Sequence, residues 1–563
     1  MKTRREFLVL GTAACLGCTS PIVRQQSPET EPAIEADVTL VSNYTQPFGL
    51  NPIKLEAISL VTGLQGTGED PAPSPQRAAL LEEMQRRSVK HPDQVLASTD
   101  TAMVMVRGYL RPGIQKGDKF DVEVRIPPRS ETTSLRGGWL LETRLTELAV
   151  LAGTTRKGHL MGLAQGPVLV DPSIEKDSDQ ALQTRGRVLG GGMATKSRSL
   201  GLVLNDEHKS VRVSQQVGSA INRRFYSHIR GLKQGVANPK TDEFIELSVH
   251  PRYKDNVGRY MRVIRSIAFR ETSGGLQARL QLLERQLLDP VTSATAALRL
   301  EAVGKEGIPV LLKGIESQDA EARFYAAEAL AYLDQTEAAV PLAQIALNEP
   351  AYRVYALGAL SAMRDVMAHD ELRKLLDVPS AETRYGAFRA LWEMNPTDPL
   401  IRGTELQGQF SYHVLDTQGP PMIHVTRSTR PEIVMFGLEQ VFEPPMILEA
   451  GKHILVNAQP GGPVIVSRFA VGEPDQKRQV SRKVHDVIHA IIELGGTYPD
   501  VVQVLQQAKE KNALPSRFKV DALPKPGRLM DRDEEPAEER ATTREEAPSG
   551  FPAMLNPWRK NGG

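Results

Sequence analysis

The alternation of apolar and polar side chains between residues 101 and 126 limits the fold more than any other feature of this 563-residue chain. The apolar residues Phe120, Val122 and Val124 alternate with charged residues. Because successive side chains of a β-strand point to opposite faces, this period of two predicts a strand with one buried face. A Pro-Gly turn at 112–113 separates it from an earlier apolar run, and two prolines at 127–128 end it, since proline cannot donate to a ladder. The stretch therefore predicts a β-rich scaffold.

A glycine-containing loop follows these strands. It has the sequence Ser-Leu-Arg-Gly-Gly and consists of Ser134, Leu135, Arg136, Gly137 and Gly138. Strands and loop together resemble the flagellar P-ring protein family, whose members form a ring around the rod of the bacterial flagellar motor. Further matching stretches follow in order from about residue 51 to residue 269. The resemblance implies a ring-forming structural protein, and we expect the loop to lie at the subunit interface, because glycines let backbones approach closely.

Helical periodicity replaces alternation after about residue 275. Three similar segments align on Arg323, Arg353 and Arg384, which are 30 and 31 residues apart. A fixed period of helix pairs is typical of an α-solenoid, and the segments resemble HEAT-like repeats. The predicted repeat core includes Leu330, Leu360 and Leu391. Since a solenoid contacts mainly its own neighbours, we expect this insertion to unfold separately from its host.

Alternation returns from about residue 403 and again resembles the P-ring family. The predicted class is α+β: a β-rich P-ring-like body in two sequence halves, with an α-solenoid inserted between them. The predicted segments are a signal at 1–18, a tether at 19–46, the body at 47–274 and 403–523, the repeats at 275–402 and a disordered tail at 524–563.

The N-terminus has the features of an export signal. Basic residues precede an apolar run at 7–17 that is too short to span a membrane, and residues 3–8 resemble a twin-arginine signal. Cys18 ends a stretch that resembles a lipoprotein cleavage box, and Cys15 is a second candidate. We therefore expect a periplasmic protein anchored by an N-terminal lipid, in the outer membrane. Since these are the two cysteines of the chain, the mature body has no disulfide available.

The sequence gives little support for an enzyme. A net charge of +1 does not favour nucleic acid, and the glycine-rich turn at 63–68 leads into two acidic residues that would repel phosphate. His485 and His489 have the i, i+4 spacing of a zinc site, but Asp486 replaces the glutamate of a metallohydrolase and no third ligand is evident. We predict no catalytic, cofactor-binding or metal-binding residues.

The resulting hypothesis is a structural component of the flagellar basal body. Its expected partners are other copies of itself, the rod and the outer-ring proteins, with the repeats as a protein-interaction module. The alternative is a membrane-anchored periplasmic HEAT-repeat adaptor that does not serve motility.

Overall fold

The computed structural model describes residues 38–151, 154–170, 183–229, 231–470 and 472–527. Up to residue 270 its strands are β1 (Thr39–Leu40), β2 (Thr45–Phe48), β3 (Ile53–Thr62), β4 (Thr101–Leu110), β5 (Lys119–Arg125), β6 (Trp139–Leu151), β7 (Thr154–Pro167), β8 (Leu169–Val170), β9 (Arg185–Ala194), β10 (Leu200–Leu204), β11 (Tyr226–Ile229), β12 (Leu232–Gly235), β13 (Ala237–Pro239), β14 (Phe244–Leu247) and β15 (Ala268–Arg270). The helices of this part are α1 (Val41–Tyr44), α2 (Pro75–Arg86), α3 (Pro92–Leu96), α4 (Val211–Arg224) and α5 (Val257–Arg265).

The alternating strands close into a barrel. They are ordered β5-β4-β3-β6-β7-β9-β8, and β5 also pairs with β9, so that the sheet meets itself. The apolar side chains of the alternating pattern, such as Val104 and Val122, fill the interior. Phe120 lies among glycines: a Cβ on Gly108 or Gly192 would lie 2.7 or 2.6 Å from its ring. These glycines therefore make room for the ring, and the barrel is a packed scaffold.

A smaller α/β unit follows the barrel. Its sheet has the order β13-β14-β10-β2, and α4 packs against β13 and β14. The start of α4 is set by Ser210, whose hydroxyl oxygen accepts a hydrogen bond from the backbone N–H of Val213 at 3.2 Å.

Helix pairs then build the repeats, as α6 (Ser273–Leu288), α7 (Ser293–Val303), α8 (Ile308–Ile315), α9 (Ala320–Tyr332), α10 (Ala339–Asn348), α11 (Arg353–Ala362), α12 (Val366–Lys374) and α13 (Ala381–Met394). Helices α7, α9, α11 and α13 contact one another in succession and form what we call the inner layer; α6, α8, α10 and α12 form the outer layer. The arginines that repeat in phase donate to carbonyls at or just beyond the end of the preceding helix. Arg353 reaches the carbonyl oxygen of Ala346 at 2.8 Å and Arg384 that of Leu376 at 2.7 Å. A cation there satisfies orphan carbonyls and complements the helix dipole.

The C-terminal part contains β16 (Thr404–Leu406), β17 (Phe410–Leu415), β18 (Met422–Val425), β19 (Glu432–Phe436), β20 (Met446–Ala450), β21 (Ile454–Ala458), β22 (Val464–Arg468), β23 (Gln476–Val480), α14 (Val484–Glu493), α15 (Tyr498–Glu510) and β24 (Arg517–Val520). A mixed sheet has the order β16-β17-β19-β18-β24, and an antiparallel sheet has the order β20-β21-β22-β23. The expected α+β class with helical repeats between two β-containing parts is thus confirmed.

The repeats do not have a core of their own. One cluster of buried apolar side chains includes Val217 and Tyr260 of the N-terminal part, Leu330 and Leu391 of the repeats, and Phe436 of β19. The domain boundaries stay a prediction. The expectation that the repeats unfold separately, however, does not fit this packing, because melting them would expose the core of both neighbouring parts.

Candidate assembly surfaces and interdomain junctions

The predicted interface loop at 134–138 lies against the barrel. Leu135 is 0% exposed and belongs to the barrel core, while Arg136 is half-buried and Gly137 is exposed. The hydroxyl of Thr67 donates a hydrogen bond to the carbonyl oxygen of Ser134 at 2.8 Å. The backbone N–H of Gly138 donates one to the carbonyl oxygen of Leu135 at 3.1 Å. Leu135 therefore stabilises its own subunit, which corrects its expected position at a surface. The assembly role of the loop stays a prediction that rests on Arg136 and the glycines.

A more exposed candidate surface is the β11–β12 hairpin, which the sequence patterns did not predict. These strands form a separate two-stranded sheet with its turn near Gly231. Leu232 is 75% exposed, and the Lys233 ammonium lies 3.8 Å from the centre of the Tyr226 ring. An isolated hairpin is marginally stable in water, and an exposed leucine on it gains from burial against a partner. The available signal was Gly231, a residue that favours turns, between the two short segments Tyr226–Ile229 and Leu232–Gly235.

The N-terminal junction between body and repeats is a buried ionic cluster. Arg259 of α5 lies 2.5 Å from Glu301 of α7 and 2.6 Å from Glu328 of α9, measured from nitrogen to carboxylate oxygen. The hydroxyl of Tyr253 donates to Glu301 at 2.5 Å, and its ring stacks on that of Tyr332 at 4.7 Å. Burial alone would lower the pKa of Arg259, but the two carboxylates outweigh it and raise this pKa. Burial raises the pKa of Glu328, against the effect of Arg259.

The C-terminal junction uses the opposite arrangement, with the acid on the body. Glu432 of β19 is buried, and the hydroxyl of Tyr385 on α13 donates to its carboxylate at 2.8 Å. Arg430 is ion-paired with the same carboxylate, and Arg389 of α13 lies 3.8 Å from it. Burial, followed by the negative charge of Glu432, raises the pKa of Tyr385. Both junctions therefore join the inner layer to the body through buried polar groups.

The predicted repeat-core residues lie on the inner layer. Leu330, Leu360 and Leu391 are buried on α9, α11 and α13. The tyrosine of each aligned segment also packs inside the molecule: Tyr325 and Tyr385 are buried, and Tyr355 is half-buried. These positions build the repeats.

His485 and His489 lie side by side on α14, with ring centres 4.3 Å apart. The Nδ1 atom of His485 is 3.3 Å from the hydroxyl of Tyr412, and burial, together with His485, lowers the pKa of His489. In the described part of the chain, no group of three or more histidine, cysteine, aspartate or glutamate side chains is placed to hold a metal ion. The pair packs against Tyr412 as part of the C-terminal fold.

The predicted lipidation sites, Cys18 and Cys15, lie outside the described residues. Along the ranges that the structure does describe, every helix is too short or too polar to cross a bilayer.

Comparison with known proteins gives a family match. The sequence model of the family described as "Flagellar P-ring protein" matches residues 41–286, which contain the barrel, the α/β unit and most of α6. A "Flagellar P-ring protein" of Caulobacter vibrioides is 31% identical over 190 residues, which are 31% of this chain and 48% of that protein. A second relative of the same description, from Thermotoga maritima, is 26% identical over 247 residues, which are 42% of this chain and 68% of that protein. A third, from Sodalis glossinidius, is 29% identical over 208 residues, which are 34% of this chain and 53% of that protein.

The chain thus spans between about half and about two thirds of these relatives. The matched residues include both assembly candidates, the 134–138 loop and the β11–β12 hairpin. The resemblance read from the strands and the Ser-Leu-Arg-Gly-Gly loop is confirmed: residues 41–286 of this chain are similar to the flagellar P-ring family.

Proposed function

We propose that this protein is a structural component of the flagellar basal body that assembles in the periplasm as a ring around the motor rod. The match to the P-ring family over residues 41–286 is the observation that carries the proposal. Its partners are then further copies of the chain, the rod and the outer-ring proteins. The packed barrel interior is consistent with a scaffold role.

Ring closure requires a heterologous interface, in which one face of a subunit docks on a different face of the next. The β11–β12 hairpin is the face that we propose first, because Leu232 is the most exposed large apolar side chain among the described residues. The half-buried Arg136 beside Gly137 is the second candidate.

The hairpin is tested by Leu232→Asp, with Val366→Asp on the repeats as a matched control of 74% exposure. Surface substitutions usually change stability by less than about 0.5 kcal/mol, so both variants should fold. Light scattering and negative-stain electron microscopy should show loss of assemblies for Leu232→Asp and retention for Val366→Asp. Equal assembly of both variants would remove the hairpin from the interface.

The repeats are proposed as a protein-interaction module, and the N-terminus as a lipid anchor. If Cys18 is acylated, Cys18→Ser should move the protein from the membrane to the soluble periplasmic fraction. Unchanged fractionation would shift the assignment to Cys15 or to an unanchored protein.

The alternative adaptor function is favoured by one observation: the family match ends at residue 286, before most of the repeats. Deleting the gene and assaying motility, together with co-purification of the tagged protein with basal bodies, separates the two. Normal swimming and absence from basal bodies would support the adaptor.

A further inference from the structure

A large cleft lies where the barrel, the repeats and the C-terminal part meet. Its volume is about 1550 Å³. Sites for small molecules usually measure about 300–1,000 Å³. The cleft therefore has room for a stretch of polypeptide.

Aromatic and apolar side chains from three parts of the chain line it. On the barrel, Trp139 is 43% and Met193 45% exposed. From the repeats comes Trp392, with the Arg430 guanidinium 3.6 Å from its ring centre, and the C-terminal part adds Pro431. Aromatic-lined grooves are suited to proline-rich segments, because an extended proline helix is already ordered before it binds.

Charged side chains in the cleft are largely paired with one another. Arg187 lies 3.5 Å from Glu123, and Lys254 lies 3.5 Å from Glu393. The lining carries both signs, so it does not select for a strongly charged ligand. Glu142 and Glu405 are exposed in this lining. The Glu142 carboxylate lies 3.5 Å from Arg87, and Glu405 offers its carboxylate to a basic group.

The described chain ends close to this cleft. Near the end, the N–H of Ala522 donates to Nε2 of His424 at 2.9 Å, and Pro524 packs against Gly386 of α13. Glu393, which lines the cleft, lies seven residues after Gly386 on the same helix, or about 10 Å at 1.5 Å per residue. The sequence then continues from 528 to 563. A chain from residue 527 to residue 558 has a typical span of about 30 Å, which is enough to reach the cleft.

The composition of the final residues differs from that of the acidic stretch at 531–546. Residues 548–560 contain no acidic side chain and combine prolines, apolar residues and a basic end: Pro548, Phe551, Pro552, Met554, Leu555, Pro557, Trp558, Arg559 and Lys560. Trp558 is the third of the three tryptophans in the chain, and the other two line the cleft.

We propose that residues 548–560 dock in the cleft of their own chain, with Trp558 against its apolar walls and the basic end near the exposed carboxylates. The docked segment contacts the barrel, the repeats and the C-terminal part at the same time and stabilises their arrangement. This interaction is independent of ring assembly.

Cysteine cross-linking in the full-length chain tests the proposal, in a background with Cys15→Ser and Cys18→Ser. Asn556→Cys is combined with Gln165→Cys on the cleft lining, or with Gln344→Cys on α10 as a control. Both glutamines are exposed. With a short bismaleimide, we expect the cleft pair to cross-link within one chain at least about tenfold faster, because docking raises the local concentration of the tail. Adding Trp558→Ala should reduce this rate to that of the control.

Equal rates for the two pairs would overturn the proposal, since a tail that is merely tethered would reach both thiols. Cross-linked dimers whose yield rises with protein concentration would also overturn it, because the occupant would then be the tail of a second copy.

Discussion

Acid should destabilise this protein through His424, a buried histidine at the C-terminal junction. Its ring stacks on Tyr385 with centres 3.5 Å apart, and its Nε2 accepts the N–H of Ala522 at 2.9 Å. The proton of the neutral ring must therefore be on Nδ1. Protonating Nε2 would turn the acceptor into a donor that faces another N–H, in a site that already contains Arg389.

The magnitude follows from the pKa. Burial, with a smaller effect of Arg389, lowers the pKa of His424 from 6.5 to about 3. Between these values the unfolded chain binds more protons than the folded chain, so stability is lost as pH falls below about 6.5. At pH 5, which is 1.5 units below the unfolded value, the loss is about 2 kcal/mol at 1.36 kcal/mol per unit. This figure does not depend on the folded pKa as long as that pKa is well below 5.

Urea unfolding followed by circular dichroism at several pH values between 7.5 and 5 measures the effect. Buried histidines such as His413, whose pKa burial also lowers, contribute to the wild-type slope. The comparison is therefore with His424→Gln, which can keep an acceptor for Ala522 but does not titrate. Its loss of stability over this range should be smaller by about 2 kcal/mol. The control is His159→Gln at an exposed site. If His424→Gln and wild type lose the same free energy, His424 is not the acid-sensitive group.

Three further perturbations test the junctions and the loop. Arg259→Met leaves Glu301 and Glu328 buried without their cation and should lower the free energy of unfolding in urea by about 3–5 kcal/mol. Replacing both acids by leucine in the same variant should restore most of this stability, and no restoration would argue against a charge effect. Leu330→Asp places a charge in the continuous core, so calorimetry should show one transition of the whole molecule at lower temperature, and a separate early transition of the repeats would contradict the shared core. Arg136→Glu should leave the barrel folded and abolish rings if the loop is an interface, and rings unchanged in electron micrographs would exclude it.

Local patterns in the sequence predicted the elements well. The alternation at 101–126 becomes β4 and β5, and the 30-residue period becomes the helix pairs of the repeats. Both predictions rest on periodicity, which the linear sequence contains in full whether the period is two residues or about thirty. The loop at 134–138 was harder, because a short glycine-containing loop suggests a surface, whereas Leu135 points into the barrel.

Long-range pairings could not be predicted in the same way. Arg259 and Glu328 are separated by 69 residues, and no local pattern joins them. The available signal was Glu328 itself, a charge within the alanine-rich inner helix α9. A charge on a buried helix face requires a partner, but the sequence does not say which element provides it.

The two junctions also determine where a partner of the repeats can bind. Arg259 of the body contacts α7 and α9, and Glu432 of the body contacts α13, so the inner layer is held by the body at both ends. A buried charge without its partner costs several kcal/mol, so the repeats cannot turn away from the body without a large penalty. The outer layer remains accessible, and its helices expose apolar side chains such as Val340 and Val366. We therefore expect the proposed partner of the repeats to bind the outer layer, which would leave the P-ring-like part accessible for the proposed assembly.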